Sequence, residues 1–214
     1  MGAEMTQTIV PITTSQAAVL LNKYHYLGDK PFRHSIIYGM VPDNRVLGDP
    51  TVSGALVFQK VSAPETVVGA FGLKRDDQDG IFELGRLVMH PSLNGGNYTS
   101  WFVSKSIRLL RRSRKVRAII SYADSSAGHL GSIYRACNAL YCGTTTPKKD
   151  FYIDGKIQER GKTKGVAGEW RDRPIKHRYV WIFDKSLKLK WLVESYNQDG
   201  TPSWLKENIN GMWC

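Results

Sequence analysis

An acid, an imidazole and a phenol, Asp124, His129 and Tyr134, follow one another in a short stretch of this chain. A carboxylate can orient an amine or take its proton, and a phenol can protonate a departing group, so the trio suits general acid–base work. Upstream, Arg86 lies in a run that reads as a buried strand, where a guanidinium must be paired and is either structural glue or part of a site. His25 and Tyr26 stand at the end of a predicted helix with His34 not far along. With Asp124 they could form a base or metal shell, and His25, His34, His129 and Asp124 could supply nitrogen and oxygen ligands to iron, although the spacing is not diagnostic. Each residue also has an ordinary reading: Asp124 as the cap of the next helix, Tyr134 as a core tyrosine, His25 as a structural histidine.

The elements that must position these groups are legible in outline. Thr8–Ile12 predicts a strand, and Thr14 or Ser15 caps a helix that runs out near Tyr24–Gly28. His34–Met40, Val52–Lys60 and Thr66–Lys74 read as strands, with a loop over Pro42–Pro50 and a polar hairpin turn over Arg75–Gly80. Phe82–Met89 alternates imperfectly and stops at His90-Pro91, the pattern of a central strand. Asn94-Gly95-Gly96-Asn97 then precedes a helix over Tyr98–Arg114, an arrangement that can bind phosphate oxygens on unpaired first-turn amides. One face of that helix, Phe102, Val103, Ile107 and Leu110, is apolar, and the other carries Lys105, Arg108, Arg111 and Arg112. Val116–Tyr122 predicts a strand that delivers Asp124 to its end, and Leu130–Leu140 a helix that carries Tyr134. Phe151–Ile157 forms a hairpin around Asp154-Gly155, Arg178–Asp184 a last strand, and Trp204 and Leu205 a short terminal helix.

With 214 residues, the chain suits one α/β domain, 1–214, bearing a basic substrate-facing loop over 144–176 and an appendage over 185–214. Thirty Lys and Arg against 19 acids give +11, which favours a polyanionic partner such as nucleic acid. Three cysteines without metal-type spacing support neither a disulfide scaffold nor a zinc finger and fit a reducing compartment. No apolar run approaches the roughly 20 residues of a membrane span.

Six motifs occur in order between Tyr24 and Phe183: Tyr24-His25-Tyr26-Leu27-Gly28, Glu83-Leu84-Gly85-Arg86-Leu87, Ser121-Tyr122-Ala123-Asp124, Gly128-His129-x-Gly131-x-Ile133-Tyr134-x-Ala136-x-Asn138, Tyr141-Cys142-Gly143 and His177-Arg178-Tyr179-Val180-Trp181. The series resembles the Mom DNA-modification proteins of Mu-like phages, which belong to the Gcn5-related N-acetyltransferase (GNAT) superfamily. The resemblance implies a mixed, mostly antiparallel sheet splayed between two parallel central strands, Phe82–Met89 and Val116–Ala123, and flanked by helices. It implies conversion of adenine in phage DNA to N6-carbamoylmethyladenine, an anti-restriction modification made in the cytoplasm of the infected bacterial host. Carried onto matching positions, Asp124, Tyr134, Arg86, Tyr26 and His25 are the candidate catalytic residues. Val88, Asn97, Tyr98, Thr99 and Ser100 would hold acetyl-CoA or a related acyl donor. Asn94–Thr99 departs from the superfamily's usual phosphate loop, so another carrier, such as an aminoacylated RNA, is also considered.

An adenine N6 amine is conjugated into its ring, so it must be oriented and shielded from water, and in double-stranded DNA it must first be flipped out. Arg108, Arg111, Arg112, Lys148, Lys149, Lys162 and Lys164 are the expected DNA contacts, with Tyr26, Tyr98, Trp101 and Trp170 as stacking candidates. The alternatives are an acyl-CoA-dependent N-acetyltransferase acting on a protein or small amine, and a non-catalytic DNA-binding protein on the same scaffold.

Overall fold

A computed structural model describes residues 7–28, 36–42, 52–93, 97–158 and 165–194. A seven-stranded sheet forms its centre, with β1 (Gln7–Pro11), β2 (Ile36–Pro42), β3 (Gly54–Lys60), β4 (Ile81–Met89), β5 (Ala118–Asp124), β6 (Leu140–Thr144) and a last strand, β10 (Lys176–Ile182). Their spatial order is β1-β2-β3-β4-β5-β10-β6, and every neighbouring pair is antiparallel except β4 and β5, which run parallel. Helix α1 (Thr14–Tyr24) follows β1, α2 (Glu65–Phe71) follows β3, α3 (Tyr98–Ser113) crosses from β4 to β5, and the five-residue α4 (Ser132–Ala136) follows β5. The fold is the mixed, helix-flanked α/β architecture expected from the sequence.

The helices are placed by what they bury. Phe102, Val103, Ile107 and Leu110 of α3 pack on one face of the sheet with Leu56, Phe58, Leu84 and Ile119. Full burial of a side chain of that size contributes about 1.5–3 kcal/mol, so this stripe fixes the crossover. Ala17, Leu20 and Leu21 of α1 cover Val57 and Val88 on the opposite face, and Val67, Ala70 and Phe71 of α2 cover Ile120 and Val180 there.

Several elements differ from the sequence reading. The cap of α1 is Thr13, which forms a reciprocal capping box with Gln16, rather than Thr14 or Ser15. Thr66–Lys74 is not a strand: Thr66, Val67 and Val68 suggested one, but Val67, Ala70 and Phe71 at helical spacing share one buried face. Gly72, at φ 68°, ends that helix, so Arg75–Gly80 joins α2 to β4 rather than closing a hairpin. The helix expected over Leu130–Leu140 shrinks to α4, because Leu140 instead pairs with Val180 as the start of β6. The hairpin at Asp154-Gly155 is present, both residues having positive φ, between β7 (Lys149–Ile153) and β8 (Lys156–Ile157). A strand not foreseen, β9 (Glu169–Asp172), joins β7 to complete a second, three-stranded sheet. The expectations at His34, at the loop beyond Pro42, at Asn94, Gly95 and Gly96, at Arg160, Lys162 and Lys164, and at Trp204 and Leu205 lie outside the described residues.

Gly131 caps α4 at φ 76°, and a Cβ there would lie 2.2 Å from the Tyr179 ring. Gly131→Ala is therefore expected to lower stability by about 1–3 kcal/mol from backbone strain alone. A chemical-denaturation midpoint unchanged from wild type would contradict this.

Candidate functional site

The ladder between β4 and β5 ends at Leu84 opposite Ser121, and beyond that point the two strands carry no register with each other. Ser121 bridges the last step, its hydroxyl donating to the Leu84 carbonyl at 3.0 Å. On its other side β4 shifts register against β3: Phe58 pairs with Leu84 and Val57 with Arg86, leaving Gly85 as an extra residue. Residues directly opposite each other in a ladder share a sheet face. Leu84 accordingly joins Phe58 on the α3 face, whereas Arg86 joins Val57 on the α1 face. Without the bulge, Arg86 would lie two residues from Leu84 on the same face, against α3. The extra glycine thus delivers the guanidinium to the side where α1 ends in His25 and Tyr26.

The gap opens into a cleft of about 550 Å³ at the carboxyl ends of the two strands. Its lining includes Leu87, Val88 and Met89 from β4, Tyr122 and Ala123 from β5, Thr99 at the start of α3, Tyr26 beyond α1, and His129 and Tyr134 after β5. Tyr134 is buried, its ring tilted against Tyr179 and edge-on to Trp181. Its phenol is hydrogen-bonded to Ser121, and burial raises its pKa, keeping it protonated at neutral pH. Tyr26, 47% exposed, stacks on His25 with ring centroids 4.7 Å apart and meets the edge of His129 at 5.6 Å. Segments from opposite walls therefore touch at the mouth.

Asp124 follows Ala123 at the end of β5 and is buried. Its carboxylate accepts from the Ser126 amide at 3.1 Å and the Ser126 hydroxyl at 2.6 Å, and faces Lys176 Nζ at 3.3 Å. The ordinary capping role is thus filled, for the 3₁₀ turn Ser125–Ala127 rather than for α4. Burial alone would raise this carboxyl, but the Ser126 bonds and the Lys176 ammonium outweigh it and hold the pKa below the usual value. Asp124 also adds to the burial that raises the Tyr26 phenol, which Arg86 opposes. The Tyr26 phenol thus feels both an ionised carboxylate and a guanidinium beside the cleft.

His25 is held neutral, its pKa pushed down to about 4 by burial, then by Arg86, then by His129. The Leu27 amide donates to its Nδ1 at 3.1 Å, which places the proton of the neutral ring on Nε2. The lone pair on Nδ1 is thus occupied, and the free edge of the ring is a donor. A neutral native histidine that charges when unfolded stabilises the fold fully above about pH 6.5. That contribution is lost progressively as pH falls toward 4. Buried His177, also lowered by desolvation, moves the same way, so the expected result is comparative: between pH 7.5 and 5, wild type loses more stability than His25→Gln in urea titrations.

The other expected residues divide between places. Val88 and Thr99 line the cleft, whereas Asn97 and Tyr98 line a separate hollow of about 290 Å³ with Gln7 and Trp101. Ser100 caps its own turn by donating to the Asn97 carbonyl, and its backbone oxygen accepts from Cys137. Arg108, Arg111 and Arg112 lie 9 to 13 residues along α3 from Thr99, about 14–20 Å at 1.5 Å per residue, toward the end of the sheet away from the cleft. Lys148 and Lys149 open the small sheet at the cleft end, where β6 finishes and β10 begins. Among the described residues no group of three His, Cys, Asp or Glu could hold a metal ion, so an iron centre finds no ligand set there. None of their helices is long and apolar enough to cross a membrane.

Two site features escaped the sequence reading. Ser121 was visible in the Ser121-Tyr122-Ala123-Asp124 motif, but its hold on Leu84 and Tyr134 depends on strands far apart in sequence. Lys176 meets Asp124 only because β10 runs antiparallel to β5 with those two residues in register.

The architecture recurs in solved structures. Arabidopsis thaliana NAA60 in complex with acetyl-CoA superposes with a TM-score of 0.51 at 11% identity, covering 83% of this chain and 99% of that one. The same protein in complex with a bisubstrate analogue gives 0.51 at 11%, covering 83% and 98%. A Bacillus subtilis acetyltransferase in complex with CoA gives 0.48 at 14%, covering 84% and 99%. No curated protein matches the chain. The sequence pattern of the Mom protein family matches residues 6–198. A GNAT-like sheet, splayed beside Arg86, Tyr26 and Tyr134 and spelled by the family's sequence pattern over nearly its whole length, makes this chain a member of the Mom protein family.

Proposed function

We propose that this chain is a transferase that converts adenine to N6-carbamoylmethyladenine in double-stranded DNA and so shields the DNA from restriction enzymes. The observation that carries the proposal is the cleft at the β4–β5 splay, with Tyr26 on its lining under the influence of Asp124 and Arg86, and Tyr134 packed with the α3-face core on the other side. The gap lets two reactants meet in it: a donor along the free β4 edge at Leu87–Met89 and against Thr99, and a flipped base beside Tyr26.

Because the product carries an N6–CH2 bond, which attack on a thioester carbonyl does not form, a CoA-like carrier would supply, when bound, a carbamoylmethyl group activated at its methylene carbon, with the bond from that carbon to the carrier broken as the N–C bond forms. The residues present fit such a donor. Leu87–Met89 offer a strand edge without a ladder partner in β5, and the first turn of α3 leaves amides without intrahelical partners.

The remaining roles belong to the chain itself. Asp124, ionised and a weak base, accepts a hydrogen bond from the adenine amine and orients it rather than stripping it of a proton beforehand, and takes the proton that the nitrogen releases once the new N–C bond has formed. Arg86 stabilises negative charge as it develops, and Tyr134 donates its proton to the departing group. Tyr26 supplies the face on which the extruded base stacks, and His129 the edge that closes over it.

Mass spectrometry of nucleosides from cells expressing the chain, against an empty-vector control, tests the reading. A carbamoylmethyl mass increment on deoxyadenosine is expected. Unmodified deoxyadenosine together with acetylation of free amines by the purified protein would instead establish an ordinary N-acetyltransferase. Neither activity, with retained DNA binding, would establish a non-catalytic binder.

A further inference from the structure

The three-stranded sheet β8-β7-β9 leaves the main sheet after β6 and returns into β10, next to the turn that begins at Asp124. Its return is fastened there. The Ile175 carbonyl accepts from the Ser125 hydroxyl at 2.7 Å, the Thr145 amide donates to the Lys176 carbonyl at 2.8 Å, and Lys176 pairs with Asp124. Lys148 O and the Arg173 amide close the base of the small sheet at 2.8 Å.

The two faces of this sheet differ. On one, Arg171 pairs with Glu169 and lies over the Tyr152 ring, and Arg173 pairs with Asp150, so the arginines are neutralised within the sheet. Register places Phe151, Trp170, Lys149 and Lys156 on the other. There Trp170 remains 58% exposed although its ring rests on buried Phe151 at 5.1 Å. Lys149 reaches Asp172 only at 3.8 Å with both side chains largely exposed, a pair of little energetic weight. Lys156 and the neighbouring Lys148 have no acidic partner among the described residues. The segment 144–176 as a whole carries nine Lys and Arg against five acids.

An exposed indole backed by a second ring and bordered by unpaired ammonium groups suits a polyanion with stacking bases, not an acidic peptide, which would leave the indole idle. Trp170 is six residues from Lys176, at most about 22 Å of extended chain. That distance corresponds to about six nucleotide steps at 3.4 Å each.

Resting on the adenine-modification reading, we propose that the β8-β7-β9 sheet is the clamp that holds the DNA strand flanking the extruded adenine. Trp170 stacks on a neighbouring base, and Lys148, Lys149 and Lys156 contact phosphates.

Fluorescence anisotropy with a 20-base-pair, adenine-containing duplex tests this over a range of salt concentrations. Trp170→Ala weakens binding by about fivefold to a hundredfold. The double variant Lys149→Ala/Lys156→Ala lowers the salt slope by about 1.8. A matched loss of charge at the opposite end of the main sheet, Lys185→Ala/Lys188→Ala, leaves the slope unaltered. Should Trp170→Ala unfold, the lysine pair alone decides the matter. Wild-type affinity and slope in both clamp variants, with wild type itself binding DNA and modifying adenine, overturn the clamp and leave the proposed function standing. No duplex binding by wild type overturns both.

Discussion

Replacing Arg86 by Met lowers adenine modification by about a hundredfold to a thousandfold, the usual cost of removing one preorganised charge from a transition state. The guanidinium is delivered to the α1 side of the cleft by the Gly85 bulge and interacts there with Tyr26 and His25. A readout independent of activity accompanies the loss. His25 is lowered chiefly by burial and next by Arg86, so its titration, followed by NMR, moves up from about 4 in Arg86→Met without reaching the ordinary value. Undiminished modification by Arg86→Met would remove the residue from the mechanism, and an unmoved histidine would separate it from His25.

The second large effect is expected at Asp124. Asp124→Ala removes the cap of the Ser125–Ala127 turn, costing about 1 kcal/mol, and leaves Lys176 facing no carboxylate. Asp124→Asn keeps an acceptor for Ser126 but carries no charge. Both variants are expected to lose about a hundredfold or more in modification, while only the alanine variant shows the capping deficit in a urea titration. An active asparagine variant beside an inactive, destabilised alanine variant would reduce Asp124 to an anchor of the turn.

The sequence exposed those parts of the fold that repeat. The apolar stripe of α3 announced itself through Phe102, Val103, Ile107 and Leu110, and the hairpin through Asp154-Gly155. It misled where a short segment answers to burial rather than propensity, as in α2, whose Thr66-Val67-Val68 favours a strand until Val67, Ala70 and Phe71 are seen to share one covered face. The candidate site was named residue by residue through motif order, yet its arrangement was hidden. The partnership of Asp124 with Lys176 and that of Ser121 with Leu84 are facts of register across the sheet. That the Leu27 amide meets Nδ1 of His25 and leaves Nε2 as the donor is likewise a matter of local folding.

The interruption of β4 at Gly85 makes the strand two half-strands out of phase, one framing the core and the other furnishing the cleft. The motif's spacing is therefore a counting device: if Gly85 paired regularly with Val57 instead of bulging out, every later side chain of β4 would turn to the opposite face. Arg86 would then point into the hydrocarbon around Phe102, and Leu87 would move to the α1 side. Substitutions along β4 can be graded, but a one-residue slip of its register is all or nothing.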